Sequence, residues 1–410
     1  MPLSRRALSR RALVSSAAAL PLIRSAKAAP VVTFAMISPL SGPWAREGEL
    51  QHGGAEMAID DINAAGGIKA LGGAKVRLVT YDAGDSAEKA KNAAQRMVAQ
   101  ETDVSGGFGA WLSTFTLAVT EVTERADIPW FTQSYSDAIT GRGFKYIFQS
   151  SPTAVDQAEK ALPTILDLAQ RTTGKRPTKI AIIADNTASS VSFLKPIRAH
   201  VLKDLGLKAV VDEVFTPPLT DATVLIQKVR SARPDFLLAL PSNVGDDKMV
   251  LDKLAEYGLT GGKLPVIGNG GHWATPELVA NTGKDVVQGL MVITAAGAGK
   301  GLEDIEKRYM ARTKEPWMLQ EPIMAYGHIM LLAEAVNRAG STDRRKVAEQ
   351  IRAFDLRDGP AKLFPGNHVK YDANGRRLDA ELMIVQWQDG RIVTTSPENM
   401  AMAKAIWPKA

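Results

Sequence analysis

Apolar positions along the chain follow two alternating rhythms. Short apolar or β-branched runs are separated by Gly, Ser and Asp-rich turns from longer stretches whose apolar residues fall at helical spacing. The first unit shows both: VVTFAMIS at 31–38, a loop PLSGPWAREGEL, then a helix in which Ala55, Ala58, Ile59 and Ile62 share one face before Gly66-Gly67 stops it. Further strands are predicted at 76–82 (VRLVTYD), 104–108 (VSGGF), 129–133 (PWFTQ) and 146–150 (YIFQS), followed by a helix with Ala158, Ala161, Leu162, Ile165, Leu166 and Ala169 on one side. A second series reads KIAIIAD at 179–185, KAVVDEVF at 208–215, DFLLAL at 235–240, LPVIG at 264–268 and GLMVIT at 289–294. Residues 301–353 are helix-rich, and ELMIVQW at 381–387 returns to a strand pattern. Such alternation predicts an α/β protein built from parallel sheets covered by helices. The late return to strand means that the chain crosses between two lobes more than once.

Composition changes the picture mainly at the N-terminus. The chain has 410 residues, 50 Lys+Arg, 44 Asp+Glu and a pI near 9.3, yet residues 1–28 carry six of the bases and no acid. Without them the two signs balance at 44 each, so the body has no excess of base with which to displace counterions from nucleic-acid phosphates. Ser9-Arg10-Arg11-Ala12-Leu13-Val14 is a twin-arginine pattern, preceded by a second pair, Arg5-Arg6. The apolar run 12–23 and Ala26-Lys27-Ala28, an A-x-A cleavage site, complete a signal peptide, placing the mature start near Ala29. That run is shorter than the roughly 20 residues of a spanning helix. With no Cys there is no lipid-anchor site, no disulfide and no thiolate nucleophile. The expected product is a soluble, exported, periplasmic protein with two domains.

Catalytic motifs are missing where an enzyme needs them. Gly107-Phe108-Gly109-Ala110-Trp111 begins a dinucleotide fingerprint but puts Leu112 where the third glycine belongs, and no Gly-Lys pair is followed by Ser or Thr. There is no G-x-S-x-G or H-E-x-x-H, and His52, His200, His272, His328 and His368 are dispersed. The expectation is a protein that is not an enzyme and holds no metal.

The segments PLSGP, GAEMAIDDINAAGGI, YDAGD and KIAII resemble the type I periplasmic solute-binding proteins of the branched-chain amino-acid (leucine/isoleucine/valine) ABC transporter family, over nearly the whole chain from Val31 to about Pro397. The resemblance implies two α/β lobes joined by three crossovers, a ligand trapped between them by hinge closure, no cofactor, and delivery by a monomer to the permease and ATPase subunits of an ABC transporter. On that basis the first lobe comprises 29–150 plus 295–360 and the second 151–294 plus 361–410. A periplasmic sensor that shows the same lobes to a receptor or kinase is the alternative.

Ligands of parallel sheets lie beyond the carboxyl ends of the strands, where helix N-termini present free N–H groups. The candidates are therefore the turns. Ser113 and Thr114, with Trp111 before them, match the family's carboxylate-binding loop, and Ser134, Tyr135 and Ser136 occupy its second ligand loop. Trp44 and Glu47 stand near the family's aromatic wall. In the second lobe the equivalent turns offer Asn186 and Ser189, Ser242 and Asn243, and Asn269 and His272. Any of these polar residues would also serve simply to satisfy turn backbone.

Amino-acid binders of this family carry an acid in the last of these turns to meet the ligand's ammonium. Here it reads Asn269-Gly270-Gly271. An unpaired buried ammonium costs several kcal/mol, so the expectation favours an aromatic or aliphatic carboxylate over leucine, isoleucine or valine. A cationic or amide ligand remains open if Glu47, Asp246 or Asp247 supplies the charge from another direction.

Overall fold

The computed structural model describes residues 31–407. The twin-arginine pattern, apolar run and cleavage site fall outside them. Two sheets organise the chain. The first holds β1 (Val31–Ser38), β2 (Lys75–Asp82), β3 (Val104–Gly109), β4 (Trp130–Thr132) and β5 (Ile147–Gln149), all parallel, in the order β2-β1-β3-β4-β5. The second contains β6 (Lys179–Asp185), β7 (Lys208–Phe215), β8 (Phe236–Leu240), β9 (Val266–Asn269), β10 (Met291–Thr294), β11 (Met383–Gln388) and β12 (Arg391–Ser396), ordered β12-β11-β10-β9-β8-β6-β7. Its last two strands run antiparallel.

Both faces of each sheet are covered. In β6, Ile180, Ile182 and Ala184 pack toward α4 (Ala154–Thr173), while Ala181 and Ile183 join the helices Thr223–Ala232 and Val244–Glu256 on the other side. Burial on two sides is why these strands read as unbroken apolar runs. The hairpin of β11 and β12 turns at Asp389-Gly390, with φ +54° and +77°, the left-handed pair that a two-residue turn demands. The sequence expectation included β11 but not its partner, although the Asp-Gly signal was present.

The chain passes between the sheets three times. The first passage lies between β5 and α4, and the second follows β10, after which Ala296, Leu302 and Ile305 enter the first core. The helix-rich region resolves into Glu303–Thr313, the long helix Gln320–Ala339 and Arg344–Arg352. A third passage expected at 360 has to be moved. Phe364, Val369 and Tyr371 are buried in the first core, and the backbone of Arg376 and Arg377 pairs with Gln149 at the edge of β5. The chain therefore changes sheets only between Arg377 and Met383. The boundary was missed because this segment adds single bridges and turns, without the periodicity that marks an element.

The helix α1 (Ala45–Ala64) packs on the long helix through glycine. A Cβ on Gly54 would lie 2.2 Å from Pro322 O and 2.6 Å from Pro322 Cα, whereas one on Gly53 would meet only Tyr309 and Thr313 at 3.7 Å. Gly54→Ala is therefore expected to destabilise by about 1–3 kcal/mol through overpacking against backbone. Gly53→Ala should be neutral or stabilising, because Ala is favoured in helices by about 1 kcal/mol. Thermal unfolding of the two variants checks the difference; equal melting temperatures would remove the close-packing argument.

Candidate functional site

The carboxyl ends of β3 and β4 face those of β8 and β9 across the junction of the lobes. Between them lies a cavity lined by residues of both lobes, the usual place for a small-molecule site in a parallel-sheet fold. Its first-lobe wall begins in the turn after β3. Trp111 adopts φ +63°, a conformation that L residues avoid at a cost on the order of 1–3 kcal/mol, and such strain concentrates at ligand sites. The indole donates from Nε1 to Glu321 Oε1 at 3.2 Å and stands edge-on to His272, with ring centroids 5.9 Å apart.

The next helix, α3 (Ser113–Arg125), has no side-chain cap, which leaves the N–H groups of Ser113 and Thr114 available to an anion. Ser113 Oγ accepts from Tyr135 N at 3.2 Å and Ser136 N at 3.1 Å. With its lone pairs engaged, the Ser113 O–H is left to donate. Ser134 is used differently. It donates from Oγ to Trp111 O at 2.6 Å and exchanges hydrogen bonds with Thr116 and Thr132, so its hydroxyl shapes the loop. Tyr135 donates from its OH to Gln320 Oε1 at 2.5 Å, and that oxygen also receives Thr294 Oγ1 and Ala295 N.

Of the expected site residues, Trp111, Ser113, Ser134, Tyr135, Ser189, Asn269 and His272 line the cavity. The rest stand elsewhere. Trp44 is buried edge-on to Phe115 at 5.4 Å, and Glu47 lies completely buried behind the wall. Thr114 Oγ1 accepts from Ala188 N, and Ser136 Oγ bonds to Ser192 Oγ at 2.8 Å, so these two residues tie the first lobe to α5 (Ala188–Pro196) of the second. Asn186 is exposed and bonds to Thr216; Asn243 caps the helix Val244–Glu256. Gln133, Ser190, Leu240, Pro241 and Gln320 also line the cavity, together with Ser242 from the expected turn. Most of these adjoin residues already singled out. Gln320 gave no local signal, because it opens a helix after the second passage and not a turn after a strand.

At the wall and behind it four buried ionisable groups meet. His272 Nδ1 lies 2.6 Å from Asp247 Oδ2, with Glu47 from α1 and Glu321 from the long helix facing the same imidazole. Burial by itself would lower the His272 pKa, but the carboxylates of Asp247, Glu47 and Glu321 together raise it to about 9. Burial pushes Glu47 up to about 8, and raises Glu321 and Asp247 as well. Both Glu47 oxygens and Glu321 Oε2 are buried without a hydrogen-bond partner, the condition under which a carboxyl retains its proton. Glu321 also explains the Asn269-Gly270-Gly271 turn: a Cβ on Gly271 would lie 2.4 Å from both carboxylate oxygens, so a side chain there has no room. Among the described residues no group of three or more His, Asp and Glu is arranged to hold a metal ion.

A family model for periplasmic binding proteins matches residues 31–391. The Leu/Ile/Val-binding protein homolog 8 of Brucella melitensis biotype 1 is 29% identical over 387 residues, covering 92% of this chain and 93% of that protein. A leucine-binding protein, LivK, from Thermotoga maritima superposes with a TM-score of 0.74 at 21% identity, covering 88% of this chain and 97% of the other. A solute-binding protein from R. palustris, solved in complex with benzoate, gives a TM-score of 0.73 at 17% identity and covers 93% and 100%. The structural matches establish a two-lobed type I fold. Among the described residues no helix is long and apolar enough to cross a membrane.

The buried cluster generates a pH dependence. The folded pKa values of Glu47 and His272 both lie above their ordinary 4.5 and 6.5, so the stability each contributes is complete below that ordinary value and is lost as pH rises through about 8 and about 9. The melting temperature should therefore fall as pH rises from about 5 to about 9. Glu47→Gln should remove the part of the loss between 4.5 and 8 and, with one acid fewer beside the imidazole, bring the His272 part to somewhat lower pH. Parallel wild-type and variant curves over this window would show that Glu47 is not protonated in the fold.

Proposed function

The chain belongs to the periplasmic binding protein family, and from that premise we propose that it is the solute-binding subunit of an ABC importer, which traps a small carboxylate-bearing solute between its lobes and hands it to a permease. The observation that carries this reading is the cavity itself. It lies at the carboxyl ends of strands from both sheets and combines an apolar wall of Trp111, Leu112, Leu240 and Pro241 with the donors of Ser113 and the start of α3. A site split between two lobes is complete only when they close, which couples ligand binding to a change of shape that a permease reads. Bonds that span the lobes, from Ala188 N to Thr114 and from Ser136 to Ser192, are of the kind that a hinge opening would break. Binding without chemistry also fits Ser113, whose hydroxyl receives only backbone N–H groups and bonds to no base.

Two measurements test the proposal. A thermal-shift screen of ligand-stripped protein against amino acids, organic acids and amides should find a stabilising solute, since a ligand at 100 times its dissociation constant adds about 2.7 kcal/mol. Small-angle scattering with that solute should show a smaller radius of gyration. An unchanged radius would place the solute outside a closing cleft. Ser113→Ala should then weaken binding about tenfold to a hundredfold, the loss of one hydrogen bond to a charged group.

A further inference from the structure

His272 is placed unlike any other residue of the cavity. It extends from the turn after β9 into the lining, with Nδ1 held by Asp247 and Nε2 without a hydrogen-bond partner among the described residues. The backbone keeps that nitrogen uncovered. Gly270 sits at φ +107°, and a Cβ there would come within 2.6 Å of Nε2. Only glycine at 270 leaves Nε2 free to meet a ligand.

Charge sets His272 apart as well. The lining contains no Asp, Glu, Lys or Arg, so this imidazole is the one side chain of the wall able to carry a positive charge at neutral pH. The groups facing it are Asp247 and Asp246 from the helix Val244–Glu256, Glu47 from α1 and Glu321 from the long helix. Asp247 is hydrogen-bonded to Nδ1, and Asp246 Oδ1 accepts from Leu219 N at 2.8 Å. Glu321 Oε1 is occupied by the Trp111 indole, and its other oxygen, like both of Glu47, is buried without a hydrogen-bond partner; neither residue is part of the lining. An ammonium in the cavity would thus face a cation and find no carboxylate among the lining residues, whereas a ligand carboxylate would find the Nε2–H.

We propose that His272, oriented by Asp247 and left uncovered by Gly270, is the cationic donor that makes this cleft select a carboxylate without a neighbouring ammonium, with Asp247 as its positioning residue. The inference rests on the solute-binding reading and deepens it, naming the ligand class as organic acids whose apolar part packs on Trp111. Ser113 reads any carboxylate; His272 and the missing acceptor exclude the amino acid.

Calorimetry on matched probes tests it: benzoate with benzamide, and 4-methylpentanoate with leucine, which differ in charge and in the 2-amino group respectively. The expected result is that each acid binds at least tenfold more tightly than its counterpart. Acid affinity should fall as pH rises through about 9, where His272 loses its proton. His272→Gln should abolish that fall and weaken the acids at least tenfold while leaving the amide within threefold. Asp247→Asn should shift the fall to lower pH, which lost packing alone would not do. Should the variants fail to fold, the wild-type preferences and pH profile decide the matter. Leucine binding as tightly as 4-methylpentanoate, or benzamide as tightly as benzoate, would overturn the inference and point to Glu321 as an ammonium partner while leaving solute binding intact. Acid binding indifferent to pH between 7 and 10 would overturn it as well. If no acid, amide or amino acid changes the melting temperature or the radius of gyration, the solute-binding reading itself falls.

Discussion

The junction of the lobes turns on one imidazole buried among carboxyls. His272 and Asp247 come from the second lobe, and Glu47 and Glu321 from α1 and the long helix. Four ionisable groups without water cannot all be charged, because each lone buried charge costs several kcal/mol. The arrangement that relieves this pairs His272 with Asp247, while burial favours the protonated form of Glu47 and Glu321.

From that cluster the wall of the cavity follows. Glu321 fixes the Trp111 indole and fills the space beside Gly271, leaving no room for a side chain at 271. Gln320, the residue before it, gathers Tyr135, Thr294 and Ala295 on a single oxygen, tying the first-lobe loop to the second passage of the chain. One helix start thus organises both halves of the site. Close packing of α1 on the long helix through Gly54 holds Glu47 and Glu321 on adjacent helices.

The hydroxyl residues show how similar loops divide their labour. Ser113, Thr114, Ser134 and Ser136 look equivalent in the sequence, each in a turn that leaves a strand. In the fold one is left with a free proton toward the cavity, one shapes its own loop, and two reach across to α5. A hydroxyl acts as a ligand donor only if its neighbours occupy its lone pairs and leave its hydrogen free. That depends on residues about 20 to 75 positions away in the chain.

What the sequence determined by itself was whatever depends on near neighbours. Strands buried on both faces announce themselves as apolar runs, so β1 and β6 were legible to their end residues, as was the more exposed β7; the others were legible to within a few residues, except β12, which was not anticipated. The turns at the strand ends were legible for the same reason, and with them the region of the cavity. Tertiary structure decided the rest: that residues up to Arg377 remain with the first core, that Gln320 enters the wall, and that Glu321 stands where the turn after β9 lacks an acid. The physical reason is that periodicity records which face of an element is buried. The charge state of Glu47 or His272 is set instead by how much water is excluded and which opposite charges lie nearby, and those neighbours come from other segments, Asp247 lying 25 positions from His272 and Glu47 far earlier in the chain.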